Sequence, residues 1–393
     1  MKLSSFLFSS VNTILLIGFF VNPVQCYSNV LMRMFAQKDK LPSTNLISHL
    51  KLDYQELTGQ EKYDLQWYVI GESNNFLSNK PYPVQIWNSK YVVWKNASGE
   101  FSALDDACTH KGASLSSGKI CKGNVVCPYH GYEFNENGTL TKVPGICFRP
   151  SPVYNLNQYN IVEKNGWVYL NTMSAIEQVR LTEENSSFVS SDNIYVEPEI
   201  EQGCSVVYLD MDYNCYSRVL SENSLDIMHI AFVHTFGNAK RPEPIREIPP
   251  VLVGPNHYRS TYFYEAGEES VARKVFGVKE LVIENEFILP HTTIARVKFG
   301  DFVSTVMTFA LPIGENKSRL FVKTYRNFWQ NHLGDIFTSN SMLNTMLQDK
   351  AVIETIDNRF MDGKFNMKFD KLQNTYVAFY KRFVHLFDDS SKN

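Results

Sequence analysis

Two short segments of the chain pair a cysteine with a histidine, and both residue types bind soft and borderline metal ions. One residue separates Cys108 from His110, sixteen residues lie between His110 and Cys127, and two residues separate Cys127 from His130. Two thiolates and two imidazoles in paired loops can hold either a zinc ion or a two-iron cluster. The spacing therefore predicts a metal centre built from these two loops.

A second group of potential ligands lies further along the chain, at Asp226, His229 and His234, with Glu222 before them. We expect a helix over 221–233, which would place Asp226 and His229 on one face and His234 just beyond. Both imidazoles would then reach one ion. Taken alone, the His-x4-His spacing fits either a metal site or a pair that arises by chance.

The first two segments closely resemble the ligand loops of Rieske proteins. The resemblance is carried by Cys108-Thr-His-Lys-Gly-Ala-Ser-Leu and Cys127-Pro-Tyr-His-Gly-Tyr-Glu-Phe. It implies a [2Fe-2S] cluster in which Cys108 and Cys127 ligate one iron and His110 and His130 ligate the other.

The resemblance also separates this chain from the high-potential Rieske proteins, which carry an additional disulfide-forming cysteine in each loop. The matching positions here hold Ala113 and Tyr129. This implies the lower-potential cluster of an oxygenase or of its ferredoxin. The remaining cysteines are expected to be buried, reduced and structural: Cys121, Cys147, Cys204 and Cys215.

A ferredoxin would end after the first domain, whereas here more than 200 residues follow it. They carry the second group of ligands at the point where Rieske oxygenases place a mononuclear iron, which implies that His229 and His234 bind Fe(II). The stretch 348–354 resembles the family's C-terminal ligand segment and implies Asp349 as the third ligand. Two carboxylates nearby are alternatives to it, Glu354 and Asp357.

The spacing of both motifs resembles the branch of Rieske oxygenases that contains pheophorbide a oxygenase and chlorophyllide a oxygenase. The resemblance implies a monooxygenase-type reaction of O2 with a large apolar substrate, with a tetrapyrrole pigment favoured. It also implies a head-to-tail homotrimer, in which Asp226 links the iron to the Rieske histidine of a neighbouring subunit. Since the sequence holds no Gly-x-Gly-x-x-Gly fingerprint, a separate ferredoxin or reductase is expected to donate the electrons.

Three alternative functions fit parts of the pattern. The first is an oxygenase similar to sterol 7-desaturases, and the second is a Rieske redox carrier or sensor with an inactive oxygenase domain. The third is a binding module stabilised by zinc. Metal analysis separates them, since the oxygenase requires three irons per chain, the carrier two, and the zinc module none.

Apolar patterns along the chain predict the strands and helices around these residues. Short strands are predicted at 84–87, 91–94, 125–127 and 167–170, with turns at 137–138 and 165–166. Longer strands are predicted at 281–289, 303–311 and 319–325, and helices at 342–360 and 372–386. The predicted fold class is therefore α+β. An all-β Rieske domain over 62–175 precedes an α+β catalytic domain over 176–386, in which helices cover an antiparallel sheet. Residues 387–393 form a tail.

Composition and charge narrow the function further. The formal charge of −3 gives no basic excess, so a nucleic-acid partner is not expected. Aromatic residues make up 13% of the chain, which suits β-rich cores and an apolar pocket.

The N-terminal residues predict where the protein is located. Residues 1–26 are typical of a signal peptide or signal anchor, with a misread start as a further option, and 27–61 are typical of a transit-like leader or a linker. We expect a plastid protein with a two-part leader. The alternative is attachment to the endoplasmic reticulum membrane through the N-terminus, with the catalytic domains in the cytosol.

Overall fold

The computed structural model describes residues 67–384, apart from 147, 148, 150, 176–189, 255, 358 and 360–366. Several predictions fall outside the described residues or at their edge. They concern the expected leader segments 1–26 and 27–61, Cys147, the tail and the domain boundary at 175/176. No helix in the described part of the chain combines the length and apolar character that a membrane span requires.

The first domain consists of three small antiparallel sheets. Their strand orders are β1-β10-β9, β2-β3-β4 and β5-β6-β7-β8. The predicted turn at Asn165-Gly166 joins β9 to β10, and both of its residues have positive φ, as a tight hairpin requires. The strands are Trp67–Glu72 (β1), Tyr82–Ile86 (β2), Ser89–Lys95 (β3), Phe101–Asp105 (β4), Lys119–Cys121 (β5), Asn124–Val126 (β6), Glu133–Phe134 (β7), Leu140–Lys142 (β8), Tyr159–Lys164 (β9) and Trp167–Ser174 (β10).

The second domain is built on one antiparallel sheet of seven strands in the order β11-β17-β16-β15-β14-β13-β12. The sequence patterns indicated β14, β16 and β17 but missed β11, β12 and β13, which precede them, and β15, which lies between β14 and β16. Exposed apolar residues on β12 obscure the alternation that marks a strand. The strands are Ser205–Tyr213 (β11), Arg246–Gly254 (β12), His257–Glu265 (β13), Glu280–Ile288 (β14), Thr292–Phe299 (β15), Phe302–Gly314 (β16) and Lys317–Arg326 (β17).

The two faces of this sheet bury different partners. Phe321 on β17 packs with residues of the first domain, including Tyr68 and Tyr169. Its neighbours Leu320 and Val322 point to the opposite face, toward the helices. The α+β class predicted from the sequence is therefore confirmed, with the sheet between the first domain on one side and helices on the other.

Helices cover the second face. The short helix Pro198–Glu201 (α1) instead lies on the first-domain side, where Glu199 pairs with Arg296. The helices on the second face are Ser217–Leu225 (α2), Ile230–Val233 (α3), Val271–Lys274 (α4), His332–Ile353 (α5) and Lys371–Val384 (α6). The predicted helix at 342–360 is α5, which begins ten residues earlier because the Asn331 side chain accepts a hydrogen bond from the backbone N–H of Gly334 and caps the helix.

The single helix predicted over 221–233 is wrong. Helix α2 ends at Leu225, and Asp226 has extended dihedrals, φ −74° and ψ 124°. Its carboxylate Oδ1 accepts a hydrogen bond from the backbone N–H of Met228 at 2.6 Å, an interaction that competes with the helical ladder. Asp226 and His229 therefore do not share a helical face, and the turn between α2 and α3 sets their positions.

Candidate metal centres

The two loops that carry Cys108 and Cys127 have the same backbone geometry. The Cys108 carbonyl accepts a hydrogen bond from the N–H of Gly112 at 2.8 Å, and the Cys127 carbonyl accepts one from Gly131 at 3.1 Å. Both glycines have positive φ, 70° and 72°, a region that side chains with a Cβ rarely enter. The glycine four residues after each cysteine thus turns the chain, and the two loops form a matched pair.

The potential ligand atoms of this pair converge. Both thiols are buried and form no disulfide, and burial raises the pKa of Cys108 to about 11, with Cys127 beside it. The Nδ1 atoms of His110 and His130 lie 3.2 Å apart on the exposed tip of the domain. Two buried sulfurs and two outward-facing nitrogens fit a two-iron cluster, with its histidine-bound iron nearest the surface.

Neighbouring side chains hold the first loop in place. The buried Asp106 carboxylate accepts hydrogen bonds from the hydroxyls of Ser114 and Ser116 and from the Ser116 N–H, all at 2.7 Å. The Tyr132 ring stacks on His110, with centroids 4.9 Å apart. Nothing in the spacing of these residues marks their supporting role in the sequence.

The second group of potential ligands lies close together in the second domain. His229 directly precedes α3, His234 directly follows it, and Asp349 comes from α5, more than 100 residues later. One potential ligand atom of each lies within 4.8 Å of the others. The Nε2 atoms of His229 and His234 face the same Asp349 oxygen, Oδ1, at 3.5 and 3.4 Å.

The Nδ1 atom of each histidine already faces a hydrogen-bond acceptor. Nδ1 of His229 lies 3.0 Å from the backbone carbonyl of Asp226, and Nδ1 of His234 lies 3.0 Å from Oε1 of Gln348. Both acceptors select the tautomer with the proton on Nδ1, which leaves both Nε2 lone pairs free. Asp349 Oδ1 is buried without a hydrogen-bond partner among the described residues, as expected of an atom that binds a cation.

The pKa values of the two histidines move in opposite directions. Burial lowers the pKa of His234 below its usual value. Burial also acts to lower the pKa of His229, but the carboxylates of Asp349 and Asp226 outweigh it and raise the pKa overall. A divalent cation among these groups would favour the neutral, metal-binding form of both rings.

The two alternative carboxylates lie outside this group. Glu354 accepts a hydrogen bond from the N–H of Asn214 at 2.8 Å and pairs with Lys350 at 3.5 Å. Asp357 pairs with Arg359 at the surface. Among the described residues, the group of this kind that could hold a metal ion consists of His229, His234 and Asp349.

Asp226 lies beside the histidines rather than among the ligands. Its Oδ2 is 3.9 Å from Nδ1 of His229, and its side chain is 28% exposed. The residue thus presents part of a carboxylate to the surface while its backbone carbonyl orients a histidine. Its predicted link to a neighbouring subunit stays a prediction.

A cavity of about 520 Å³ extends from His229, His234 and Asp349 along the helix-covered face of the sheet. Asp226 also borders it. Most of its wall is apolar, including Leu281, Ile283, Val297, Phe299, Val322 and Met346. The volume and the lining are those of a site that buries an apolar organic ligand.

Comparison with known proteins identifies both domains. Residues 66–154 match the Rieske [2Fe-2S] domain, and residues 213–383 match the vanillate O-demethylase oxygenase C-terminal domain. The solved structure of dicamba monooxygenase bound to dicamba has a TM-score of 0.71 at 18% identity, covering 83% of this chain and 99% of that chain. This likeness shows the fold.

Two curated relatives extend the comparison. The oxygenase component of 3-ketosteroid-9-alpha-monooxygenase from Rhodococcus rhodochrous is 28% identical over 43% of this chain. Chloroplastic pheophorbide a oxygenase from Oryza sativa subsp. japonica is 26% identical over 67% of this chain. The matches span 42% and 49% of these relatives' own lengths.

Fold and site together define a two-domain iron protein, with a Rieske domain in front of a domain that binds a single metal ion. The two family matches cover more than half of the chain, and the chain belongs to the Rieske non-haem iron oxygenases. The family predicted from the cysteine and histidine motifs is confirmed, and pheophorbide a oxygenase is among the relatives. The two domains imply a Rieske cluster and a mononuclear iron as cofactors.

Proposed function

We propose that the protein is an oxygenase that uses O2 and externally supplied electrons to oxidise a large apolar substrate. The observation that carries the proposal is the cavity that ends on His229, His234 and Asp349 in a chain that also holds a Rieske domain. Two imidazoles and one carboxylate leave open coordination positions for O2 beside the substrate. When bound, the two metal centres would supply one-electron transfer and O2 activation.

The chain's own residues prepare the site for this chemistry. Gln348 and the Asp226 carbonyl hold the two imidazoles with Nε2 toward the ion. The apolar wall binds the substrate by burial and excludes water from the reacting position. Orientation and exclusion of water are therefore the protein's contribution, while the metals supply the redox chemistry.

Electrons must reach the mononuclear site from a Rieske cluster. We propose that they enter from a ferredoxin or reductase and cross between subunits of a homotrimer through Asp226. The exposed tip formed by His110 and His130 supports this path, because it can approach another copy of the chain. The partly exposed Asp226 carboxylate supplies an acceptor for a histidine N–H there.

The substrate class rests on the cavity and on the relatives. A tetrapyrrole pigment is favoured, supported by the apolar wall and by the match to pheophorbide a oxygenase over 67% of the chain. The second candidate is a steroid, supported by the match to a 3-ketosteroid monooxygenase component. Product analysis with both substrate classes and a generic ferredoxin system tests this choice.

Metal analysis tests the oxygenase itself. We expect three irons per chain, with His234→Ala reducing the count to two and abolishing O2-dependent turnover while the cluster's visible absorption stays. Two irons in the unchanged protein would instead indicate a redox carrier. Turnover that survived His234→Ala would show that the reaction occurs elsewhere.

We further propose a plastid location, which the chloroplastic relative supports. A C-terminal fluorescent tag, combined with protease protection and a glycosidase shift, tests this location. We expect fluorescence in plastids without glycosylation. Cytosolic exposure of the tag on the endoplasmic reticulum would support the alternative location, and a glycosylated, secreted and iron-loaded protein would exclude both.

A further inference from the structure

Within the described residues, the buried cation Arg326 borders the mostly apolar cavity, away from the candidate metal ligands. Arg326 is the last residue of β17 and lines the cavity together with Leu320, Val322 and Thr324, which alternate along the same strand face. It is 1% exposed. A guanidinium carries a permanent positive charge, so burial at this position needs a compensating anion.

Among the described residues, hydrogen-bond partners satisfy one of the three guanidinium nitrogens of Arg326. Nη2 donates to the carbonyl of Trp329 at 3.0 Å and to the carboxylate of Asp335. Nε and Nη1 are buried and have no hydrogen-bond partner within the described residues. Asp335 is itself 42% exposed, so solvent screens the one ion pair that Arg326 makes. Donors on the guanidinium thus remain available for a further acceptor.

The surrounding backbone holds the guanidinium in place. A Cβ at Gly334 would lie 1.9 Å from the Trp329 carbonyl oxygen and 3.0 Å from Nη2 of Arg326. Glycine therefore lets the first turn of α5 pack directly against the arginine. The positive end of the dipole of this 22-residue helix lies in the same turn and adds to the attraction for an anion.

A polar residue, Ser304, lies beside Arg326 at this end of the cavity. Ser304 on β16 stands opposite Arg326 in the strand register and also lines the cavity. Residues directly opposite in an antiparallel pair point to the same face, so the Ser304 hydroxyl and the guanidinium lie on one side of the sheet. Together they can offer several donors to one small anionic group.

Arg326 and the candidate metal ligands lie near opposite ends of α5. Asp335, which pairs with Arg326, is in the first turn of α5, and Asp349 is in its last two turns. At 1.5 Å per residue, these positions are separated by about 20 Å along the helix axis. A molecule that reached both ends would be elongated and mostly apolar between them.

We infer that Arg326 binds a carboxylate of the substrate and sets its orientation in the cavity. The substrate class is then an elongated apolar acid, with the anionic group at Arg326 and the oxidised carbon near His229, His234 and Asp349. This inference rests on the proposed function and narrows it. Neither an alcohol nor an ester of the same shape would satisfy the free donors of the guanidinium equally well.

Equilibrium dialysis tests the inference with two matched pairs of probes, pheophorbide a with its methyl ester and cholanic acid with its methyl ester. The full-length protein is used without reductant. For at least one pair, we expect the acid to bind roughly tenfold or more tightly than the ester, as a charge-assisted hydrogen bond provides. Arg326→Met should remove this preference, and Arg326→Lys, which keeps the charge, should retain part of it.

Asp335→Asn is the matched control. If Arg326 served only the ion pair, Asp335→Asn would have the same effect as Arg326→Met. If Arg326 binds the substrate, Asp335→Asn keeps or increases the preference for the acid. Equal binding of acid and ester in both pairs, or loss of the preference in Asp335→Asn, would overturn the inference. Because the assay needs no turnover, a preserved acid preference without oxygenation would count against the proposed reaction alone.

Discussion

Replacement of Gln348 by leucine should weaken binding of the mononuclear iron without touching a ligand. Oε1 of Gln348 lies 3.0 Å from Nδ1 of His234, and the His234 side chain is only 4% exposed. Leucine has a similar volume but accepts no hydrogen bond. The variant therefore leaves a buried N–H without a partner and frees the ring to rotate or to shift its proton to Nε2.

The size of the effect follows from this contact. An unsatisfied buried donor costs about 1–3 kcal/mol. This corresponds to a loss of roughly 5- to 150-fold in iron affinity, because every 1.4 kcal/mol is a factor of ten. The range agrees with the 10- to 100-fold cost generally found when the partner of a metal-bound histidine is removed. The Rieske cluster, in the other domain, should be unaffected.

The assay is competition for Fe(II) with a chelator, with the cluster's visible absorption as an internal control for folding. Gln348→Glu should retain most of the affinity, since a carboxylate still accepts the hydrogen bond. Gln330→Leu is the matched control, because Gln330 is exposed just before α5 and donates to the Gly203 carbonyl instead. Unchanged iron affinity in Gln348→Leu would refute the view that this contact orients His234.

Three further variants test other parts of the structure. His110→Ala should abolish the cluster's visible absorption, because one iron would lack an imidazole, and an unchanged spectrum would contradict the assigned ligand. Asp226→Asn should leave both metal sites filled yet slow single-turnover oxidation of the pre-reduced cluster with substrate and O2, and rapid oxidation would argue against a bridging role. Glu286→Gln should destabilise the fold by about 3–5 kcal/mol in chemical denaturation, because it removes a buried carboxylate that pairs with His257, Arg259 and Arg296. Burial alone would raise the pKa of Glu286, but His257 and Arg296 lower it to about 2. In the unchanged protein, the Glu286 carboxylate therefore stabilises the fold fully above the unfolded pKa near 4.5. This stabilisation is lost as the pH falls toward 2.

Much of the metal chemistry could be predicted from the sequence, because each motif is local. Cys108 and His110 share one loop, and so do Cys127 and His130, so their spacing alone places a thiol and an imidazole together. His229 and His234 flank a single short helix. The family and the fold class followed from these motifs together with the order of strands and helices along the chain.

Other features depended on packing between distant parts of the chain. The sequence suggested Asp349 only by resemblance, whereas the structure brings its Oδ1 to both Nε2 atoms. The roles of Gln348 and Arg326 have no local signature, since one depends on the rotation of α5 and the other on which face of β17 points to the cavity. The local prediction also failed at Asp226, where a side-chain hydrogen bond ends the helix.

The sequence thus located both metal motifs and indicated the family, because the cysteine and histidine ligands of each motif lie close together in the chain. The surroundings of the mononuclear site follow from the tertiary structure. Strand register and helix packing determine which side chains line the cavity, and residues far apart in the chain become neighbours only when the sheet and α5 bury their apolar faces together. The substrate preference, which depends on those neighbours, is therefore a property of the folded domain.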